Sequence, residues 1–426
     1  MSETPWTVID LFSGAGGMSY GFHAHPDFRI VGAVDAQVGK PSSGTGSLDC
    51  NRTYEANIGI KPLDLDLSLV SAGVLREALQ GTVDRRGPTV LISCAPCTGF
   101  SRTLSTNHLS DDPRNSLVSK SAEFVKAFRP RIFLMENARE LIQGRNSHHF
   151  DCLDADLRRL GYSVKGNIHF LNRFGLPQRR ERAIVIAVSE DLPLRGLEEL
   201  WDGHRLKVKA THVRQSIASL PPLEAGQRHP SDPLHVSPKM APLGLKRLRA
   251  IPKDGGSWID LRGRPDSDGL LTPAMKNYIA KGDFGSHPDV YGRLWWDRPA
   301  VTIKRECGHT GNGRYAHPEQ DRLCTIREMA ILQGFPRDYR FVSSSVANCY
   351  RHIGDAVPPL ISYQLARLCE WVLTGRKPEL EELILAKTPL TVNAIEKVGI
   401  VRRSESESER AMTRAACTAG RAVPKS

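Results

Sequence analysis

The sequence lacks the features that mark membrane-spanning and secreted proteins. Across its 426 residues no stretch approaches the ~18 uninterrupted apolar residues that a membrane-spanning helix needs. The first residues, Met1 to Pro5, have neither the basic start nor the apolar stretch of a signal peptide. The nine cysteines are odd in number and scattered, which favours reduced thiols over a disulfide framework. These absences predict a cytoplasmic protein with no membrane partner.

The overall composition is that of a folded, basic protein. Hydrophobic residues make up 40% of the chain and charged residues 25%, values that exclude a wholly disordered protein. The 58 lysines and arginines outnumber the 47 acidic residues, so the net charge is +11. This surplus fits a protein that binds a polyanion, and it fits a merely basic soluble protein equally well.

Short apolar runs alternate with helical patterns in the first half of the chain. The runs occupy residues 7–12, 28–34, 89–93, 131–135 and 183–187, and helical patterns lie at 117–128 and 150–160. Nearly continuous apolar strands separated by helices are typical of a sheet that is covered on both faces. The pattern predicts an α/β fold with a doubly wound, mostly parallel, Rossmann-like sheet and a second, smaller loop-rich domain.

Changes in composition divide the chain into four segments. Residues 1–189 are expected to form the N-terminal part of the sheet domain, and residues 293–375 to complete it. Residues 190–292 are rich in proline, glycine and histidine, which predicts the separate loop-rich domain. Residues 376–426 contain a serine–glutamate repeat and small residues, and are predicted to be a largely disordered tail.

The loop-rich segment also carries most of the positive charge. Residues 203–253 hold ten lysines and arginines against two acidic residues, a difference of +8. Lys246, Arg247 and Arg249 are therefore candidate contacts to a phosphate backbone.

A glycine-rich turn follows the first predicted strand, in the stretch Asp10 to Gly17. Glycines here allow a tight turn and a close approach to a ligand. Asp35 ends the next strand, where an acid can accept hydrogen bonds from ribose hydroxyls. Ser19 stands where a dinucleotide fingerprint has its third glycine. The turn therefore favours a nucleoside ligand, with a dinucleotide enzyme and a purely structural turn as alternatives.

Two cysteines flank the end of another predicted strand, in Ser93-Cys94-Ala95-Pro96-Cys97. No second C-x-x-C pair exists to complete a zinc site, so no metal is expected here. Cys94 lies within the apolar run and is interpreted as an inert core residue. Cys97 lies beyond the strand end, where parallel-sheet enzymes place reactive groups.

Charged residues at two further strand ends complete the candidate site. Glu136 follows the run at 131–135 and is a candidate for proton transfer, with a surface charge as the alternative. Arg180 and Arg182 lie in an extended segment and are expected to point the same way, unless the cluster is simply solvated.

Together these motifs resemble the DNA cytosine-5 methyltransferases of bacterial type. The resemblance covers roughly residues 7–187 and 293–370, with the motifs in the family's order. It includes Pro96-Cys97, Glu136-Asn137, Gln178 to Arg182, Arg298 to Ile303, Arg327 to Pro336 and Gly354 to Pro359. Asp355 departs from the pattern, because the family has asparagine there. Asp64 and Asp66 both fit the third cofactor motif, and Asp66, followed by Leu67, is preferred.

The resemblance implies a reaction and a set of site residues. Cys97 would add to C6 of a cytosine flipped out of duplex DNA, Glu136 would protonate N3, and Arg180 and Arg182 would hold the base or orient Glu136. S-adenosyl-L-methionine would be the methyl donor. Its predicted binding residues are Phe12, Ser13, Gly14, Gly16, Gly17, Asp35, Asp66, Leu67, Pro96, Leu117, Asp355 and Ala356.

The same resemblance places residues 190–292 where the family has its target-recognition domain. Double-stranded DNA is the expected partner, with a cognate restriction endonuclease as a possible functional one and a monomer as the expected state. An RNA cytosine-5 methyltransferase, a non-catalytic DNA-binding protein on the same fold and a dehydrogenase are the alternatives. The intact Cys97 and Glu136 weigh against the second, and Ser19 weighs against the third.

Overall fold

The computed structural model describes residues 4–40, 45–81, 87–96, 111, 113–282, 284 and 288–398. Its strands are β1 (Trp6–Leu11), β2 (Phe28–Val34), β3 (Val38–Lys40), β4 (Thr45–Ser47), β5 (Val90–Ser93), β6 (Ile132–Ala138), β7 (Tyr162–Phe170), β8 (Gln178–Arg179), β9 (Glu181–Ser189), β10 (His204–Leu206), β11 (Arg228–His229), β12 (Asp232–Val236), β13 (Ala300–Val301) and β14 (Ile395–Lys397).

The α-helices are α1 (Gly17–His23), α2 (Cys50–Ile58), α3 (Ala72–Ala78), α4 (Ser116–Phe128), α5 (Glu140–Gln143), α6 (His148–Arg159), α7 (Leu197–Leu200), α8 (Val213–Ile217), α9 (Pro242–Ala250), α10 (Pro273–Lys281), α11 (Ile326–Leu332), α12 (Val346–Asp355) and α13 (Pro359–Thr374). Short 3-10 turns lie at Pro113–Asn115, Leu171–Phe174, Trp258–Leu261, Thr310–Asn312, Leu380–Leu383 and Val392–Ala394. None of these described helices combines the length and apolar composition that crossing a bilayer requires.

Six strands form the central sheet in the order β2-β1-β5-β6-β9-β7. The pairs β2–β1, β1–β5 and β5–β6 are parallel, whereas β9 pairs antiparallel with both β6 and β7. The predicted mostly parallel α/β sheet is confirmed. The chain leaves β1 toward β2 on one side and reaches β5 on the other, so a crevice is expected beyond the carboxyl ends of β1 and β5.

Alternate residues of each strand enter separate cores on the two faces of the sheet. On β1, Val8 packs with α1 and α13, whereas Ile9 packs with α3, α4 and α6. On β6, Leu134 and Phe133 divide in the same way. Every residue of β6 is buried, as expected for a strand covered by helices on both sides.

The late helix α13 completes this domain by packing on α1. A Cβ atom built on Gly21 would lie closer than 3 Å to the backbone nitrogen of Tyr363, and one on Gly17 would overlap the carbonyl oxygen of Val357. Glycine is therefore required at both positions because the two helix backbones approach so closely.

The packing shifts the boundary predicted at residue 190. Leu197, Leu200 and Trp201 lie in the core of the sheet domain, although the sequence assigned them to the loop-rich domain. A small separate core does form further on, around Leu248 and Trp258. It belongs to a region of short helices and turns, in agreement with the poor periodicity there.

The structure corrects the predicted tail. Leu383, Leu390 and Ile395 are buried against the sheet domain, and β14 pairs antiparallel with β10. Residues 376–398 were assigned to the tail because their apolar residues are too widely spaced to give a helical or strand period. The serine–glutamate repeat at 404–409 lies outside the described residues.

Candidate active site

The glycine-rich turn begins directly after β1 and is closed by backbone hydrogen bonds. Phe12, Gly14 and Gly16 have positive φ angles of 60°, 52° and 89°. The amide of Ser13 donates to the carbonyl of Val34, which ties the turn to the end of β2 at 2.9 Å. The turn therefore lies at the crevice between the carboxyl ends of neighbouring strands.

Asp35, just after β2, supports this turn through its carboxylate. The backbone amide of Gly14 donates to Oδ2 at 2.8 Å, and that of Gln37 donates to Oδ1 at 2.6 Å. The Cys50 thiol lies 3.4 Å from the same Oδ1. Desolvation raises the pKa of Asp35 in spite of these donors. Because a carboxylate offers about four lone-pair sites, the half-buried Asp35 can still accept a hydrogen bond from a ligand.

A buried polar chain underlies the turn, and the sequence analysis did not detect it. Ser19 Oγ donates to Asp10 Oδ2 at 2.6 Å and lies 2.7 Å from the hydroxyl of Tyr54. Asp10 is fully buried, and desolvation raises its pKa to about 7. Ser19, the residue that departs from the dinucleotide fingerprint, is thus the partner of the acid that ends β1.

The two acids that competed for the third cofactor motif have different surroundings. Gln37 Nε2 donates to Asp64 Oδ2 at 3.0 Å, and the Gln37 amide donates to Asp35, so Asp64 and Asp35 share one hydrogen-bonded chain. Asp66 instead accepts from the amide and hydroxyl of Ser68 in the next turn. Leu67 is buried in the sheet core. The structure therefore favours Asp64 over the predicted Asp66, and a packing role for Leu67.

Asp355 and Ala356 end α12 and reach the first domain. Asp355 forms an ion pair with Arg305, whose guanidinium also donates to the carbonyl of Val38. Desolvation raises the pKa of Asp355 to about 6 against the opposing charges of Arg305 and Arg180. Ala356 is buried, and a Cβ on Gly17 would touch its methyl group. Arg305 compensates the negative charge that Asp355 brings to a position where asparagine was expected.

The segment that leads to Pro96 and Cys97 is held by β6. Asn137 Nδ2 donates to the carbonyl of Ala95 at 3.1 Å, and Asn137 is fully buried. Pro96 is half-buried, and Leu117 packs with Ala95 in the same core. Cys97 itself lies outside the described residues.

Glu136 and Arg182 form an ion pair on neighbouring strands. Arg182 Nε lies 3.0 Å from Glu136 Oε1, with side-chain exposures of 15% and 10%. In the antiparallel register Arg182 faces Ala138, so Glu136 is its diagonal neighbour on the same face. Glu136 lies inside β6 rather than after it, which corrects the predicted strand end. The arrangement provides a nearly buried carboxyl group whose position is set by a cation.

A family model for C-5 cytosine-specific DNA methylases matches residues 6–371, which includes every residue of this site. The chain belongs to that family. The resemblance noted in the motifs is thereby confirmed, and so is the assignment as a cytosine-5 DNA methyltransferase. A methyltransferase requires a methyl donor, and this family acts on DNA.

Individual relatives of this methylase are bacterial modification enzymes. It is 28% identical over 372 residues to the type II methylase M.HgiDII of Herpetosiphon aurantiacus, a match that covers 86% of this chain and 96% of that protein. It is 30% identical over 366 residues to the type II methyltransferase M1.HphI of Haemophilus parahaemolyticus, covering 84% of this chain and 85% of that protein.

A solved structure supports the fold. The prophage-encoded protein of E. coli that is described as a DNA modification methyltransferase aligns with a TM-score of 0.58 and 21% identity. The alignment covers 86% of this chain and 99% of that one. At this identity the match is evidence for the fold alone.

The two arginines of the predicted arginine motif have separate partners in this methylase. Arg180 is buried between β8 and β9, and its guanidinium donates to the carbonyls of Ile303, Gly354 and Ala356 at 3.0, 3.4 and 3.3 Å. These contacts join the late segments of the chain to the sheet domain. The prediction that both arginines point the same way missed the break between the two strands, where the Arg180 amide donates to the carbonyl of Gln178.

The turn of this methylase retains room and bonding capacity for a ligand. Ser13 Oγ is buried and has no hydrogen-bond partner within the described part of the chain. A Cβ atom on Gly14 would meet no described atom within 4 Å. An orphaned hydroxyl, an open glycine and the free lone pairs of Asp35 suit a ligand that carries hydroxyl groups.

Proposed function

We propose that this methylase methylates C5 of a cytosine flipped out of duplex DNA, through a transient bond between Cys97 and C6 of the base. The observation that carries the proposal is the Glu136–Arg182 ion pair, which lies on β6 and β9. Asn137, next to Glu136, is bonded to the segment that leads to Cys97. An acid and a nucleophile on adjacent strands are the two groups that activate a cytosine ring.

The proposed reaction begins with the addition of the Cys97 thiolate to C6. Glu136 donates a proton to N3, so the electron pair released from the C5–C6 double bond makes C5 nucleophilic without charge on the ring. After C5 is methylated, a base removes its proton, the double bond re-forms and the thiolate leaves. Arg182 acts as a positioning residue for Glu136, and Arg180 as one for the late segments of the chain.

S-adenosyl-L-methionine is the proposed donor, and it supplies an electrophilic methyl group when bound. In this proposal Phe12, Ser13, Gly14 and Gly16 bind the donor at the turn, and Asp35 accepts from its ribose hydroxyls. Gly17, Pro96, Leu117, Asp355 and Ala356 are proposed to line or support the same pocket. Asp64, bonded to Asp35 through Gln37, is proposed for the adenine amine in place of Asp66.

The proposed substrate is double-stranded DNA, read by the region around the small core of Leu248 and Trp258. A region of this size next to a basic stretch favours duplex DNA over RNA. The bacterial relatives carry type II names, so a cognate restriction endonuclease belongs to the proposal as a functional partner. The enzyme is proposed to act as a cytoplasmic monomer.

A covalent trap tests the chemistry and the substrate together. Bisulfite sequencing of DNA from cells that express the protein first identifies the target cytosine. A duplex with 5-fluorocytosine at that position should then form a denaturation-resistant adduct that requires S-adenosyl-L-methionine, because fluorine cannot leave as a cation. Cys97→Ser should abolish the adduct, and the matched control Cys94→Ser should retain it. An adduct that persists in Cys97→Ser, or that forms only on RNA, would overturn the proposal.

A further inference from the structure

Three potential metal ligands converge at the beginning of α6. His149 Nε2 lies 2.8 Å and His148 Nε2 lies 3.3 Å from the same oxygen, Oδ2 of Asp111. All three ligand atoms lie within 4.8 Å of one another. None of them belongs to the site described above.

The surroundings prepare the Asp111 carboxylate for this geometry. Asn115 Nδ2 donates to the other oxygen, Oδ1, at 2.8 Å, and Asn115 is fully buried at the beginning of α4. This bond orients the carboxylate and directs Oδ2 toward the histidines, as outer partners of metal ligands do. The imidazole rings of His148 and His149 lie side by side, with centroids 4.1 Å apart.

The donor set limits which ion could bind. Two imidazole nitrogens and one carboxylate oxygen suit Zn²⁺, Co²⁺ and Ni²⁺, whereas Mg²⁺ and Ca²⁺ prefer oxygen ligands alone. His148 is 57% exposed and Asp111 43% exposed, so water can fill the remaining coordination positions. The site is therefore open on one side, and a bound ion would be exchangeable.

We propose that Asp111, His148 and His149 form a binding site for a divalent transition-metal ion of the zinc class. The ion would link the segment before α4 to the first turn of α6. The alternative is a pair of hydrogen bonds from the histidines to Asp111 with no ion. The inference stands on these three side chains and Asn115, and it is independent of the proposed methyl transfer.

Cobalt binding to the untagged, full-length protein tests the site. Co²⁺ should produce weak visible absorption bands of a nitrogen and oxygen site, without the strong near-ultraviolet band of cobalt bound to a thiolate. The double variant His148→Ala/His149→Ala should lose these bands. His23→Ala, which removes an exposed histidine from α1, is the matched control and should retain them.

Thermal unfolding provides a second measurement that does not depend on a spectrum. An ion that binds only the folded protein raises the unfolding midpoint in proportion to the logarithm of its concentration. Zn²⁺ should raise the midpoint of the wild type and of His23→Ala, but not that of the double variant or of Asp111→Asn. Cobalt bands that persist in the double variant, bands of thiolate character, or equal midpoint shifts in all four proteins would overturn the inference.

Discussion

The Glu136–Arg182 ion pair allows a sharp test because the same strands carry a second pair in a different environment. Arg139 Nη1 lies 2.9 Å from Glu181 Oε2, with side-chain exposures of 36% and 24%. In the Glu136–Arg182 pair the exposures are 15% and 10%. Removing the cation of a buried pair leaves an uncompensated charge, whereas removing an exposed one has little effect.

The predicted magnitudes follow from this difference. In Arg182→Gln the carboxyl group of Glu136 loses the partner that sets its position, so we expect kcat to fall by roughly 100-fold, or about 2.7 kcal/mol at 1.36 kcal/mol per decade. Arg182→Lys keeps the charge but not the planar donor, and should lie between this variant and the wild type. Arg139→Gln should change kcat by less than about fivefold, in line with about 1 kcal/mol or less for an exposed pair.

The assay is steady-state transfer of a radiolabelled methyl group to duplex DNA that contains the identified target. KM for S-adenosyl-L-methionine should stay nearly constant in Arg182→Gln, because Arg182 contacts Glu136 and not the turn that is proposed to hold the donor. Equal losses in Arg182→Gln and Arg139→Gln would refute the reasoning. So would a loss in Arg182→Gln that is confined to KM.

Three further predictions concern groups that the structure places in unusual surroundings. Because burial raises the pKa of Asp10 from 3.8 to about 7, the folded protein keeps a proton that the unfolded chain releases, so stability should fall by up to about 4 kcal/mol as the pH rises from about 4 to about 7. Asp10→Asn should flatten this dependence in urea unfolding measured across that range, and an unchanged profile would contradict the assignment. Gly21→Ala should lower the thermal midpoint by several degrees because its Cβ would overlap α13, whereas Gly73→Ala in α3, whose Cβ meets no atom closer than 3.9 Å, should leave it unchanged or raise it. Replacing exposed Lys246 and Arg249 by glutamine should reduce the slope of DNA affinity against salt concentration by up to about two contacts, and an unaltered slope would exclude both from the DNA interface.

The phosphate prediction omits Arg247 for a structural reason. Arg247 is buried, and its guanidinium donates to the carbonyl of Leu270 and to the hydroxyl of Tyr291. The sequence showed three neighbouring cations, but a helix turns by a third of a circle or less per residue, so adjacent cations face different sides. Only the fold revealed which of them point toward solvent.

The sequence by itself determined the features that depend on neighbouring residues. The apolar runs predicted the parallel strands, because a strand buried on both faces must be apolar at every position. The glycine turn after β1 and the Asp35 carboxylate at the end of β2 were readable, because strand ends carry short, local motifs. Glu136 and Cys97 were found in the same way, although the described residues do not include Cys97.

Only the tertiary structure decided which distant residues meet. The Asp10–Ser19–Tyr54 chain, the choice of Asp64 over Asp66 and the ion pair of Arg305 with Asp355 all join different elements. The packing of residues 376–398 on the sheet domain has the same origin, since Leu383 and Ile395 gain burial from strands and helices far away in sequence. Such contacts leave no local period or motif, because the free energy that places these side chains comes from surfaces that exist only once the sheet has formed.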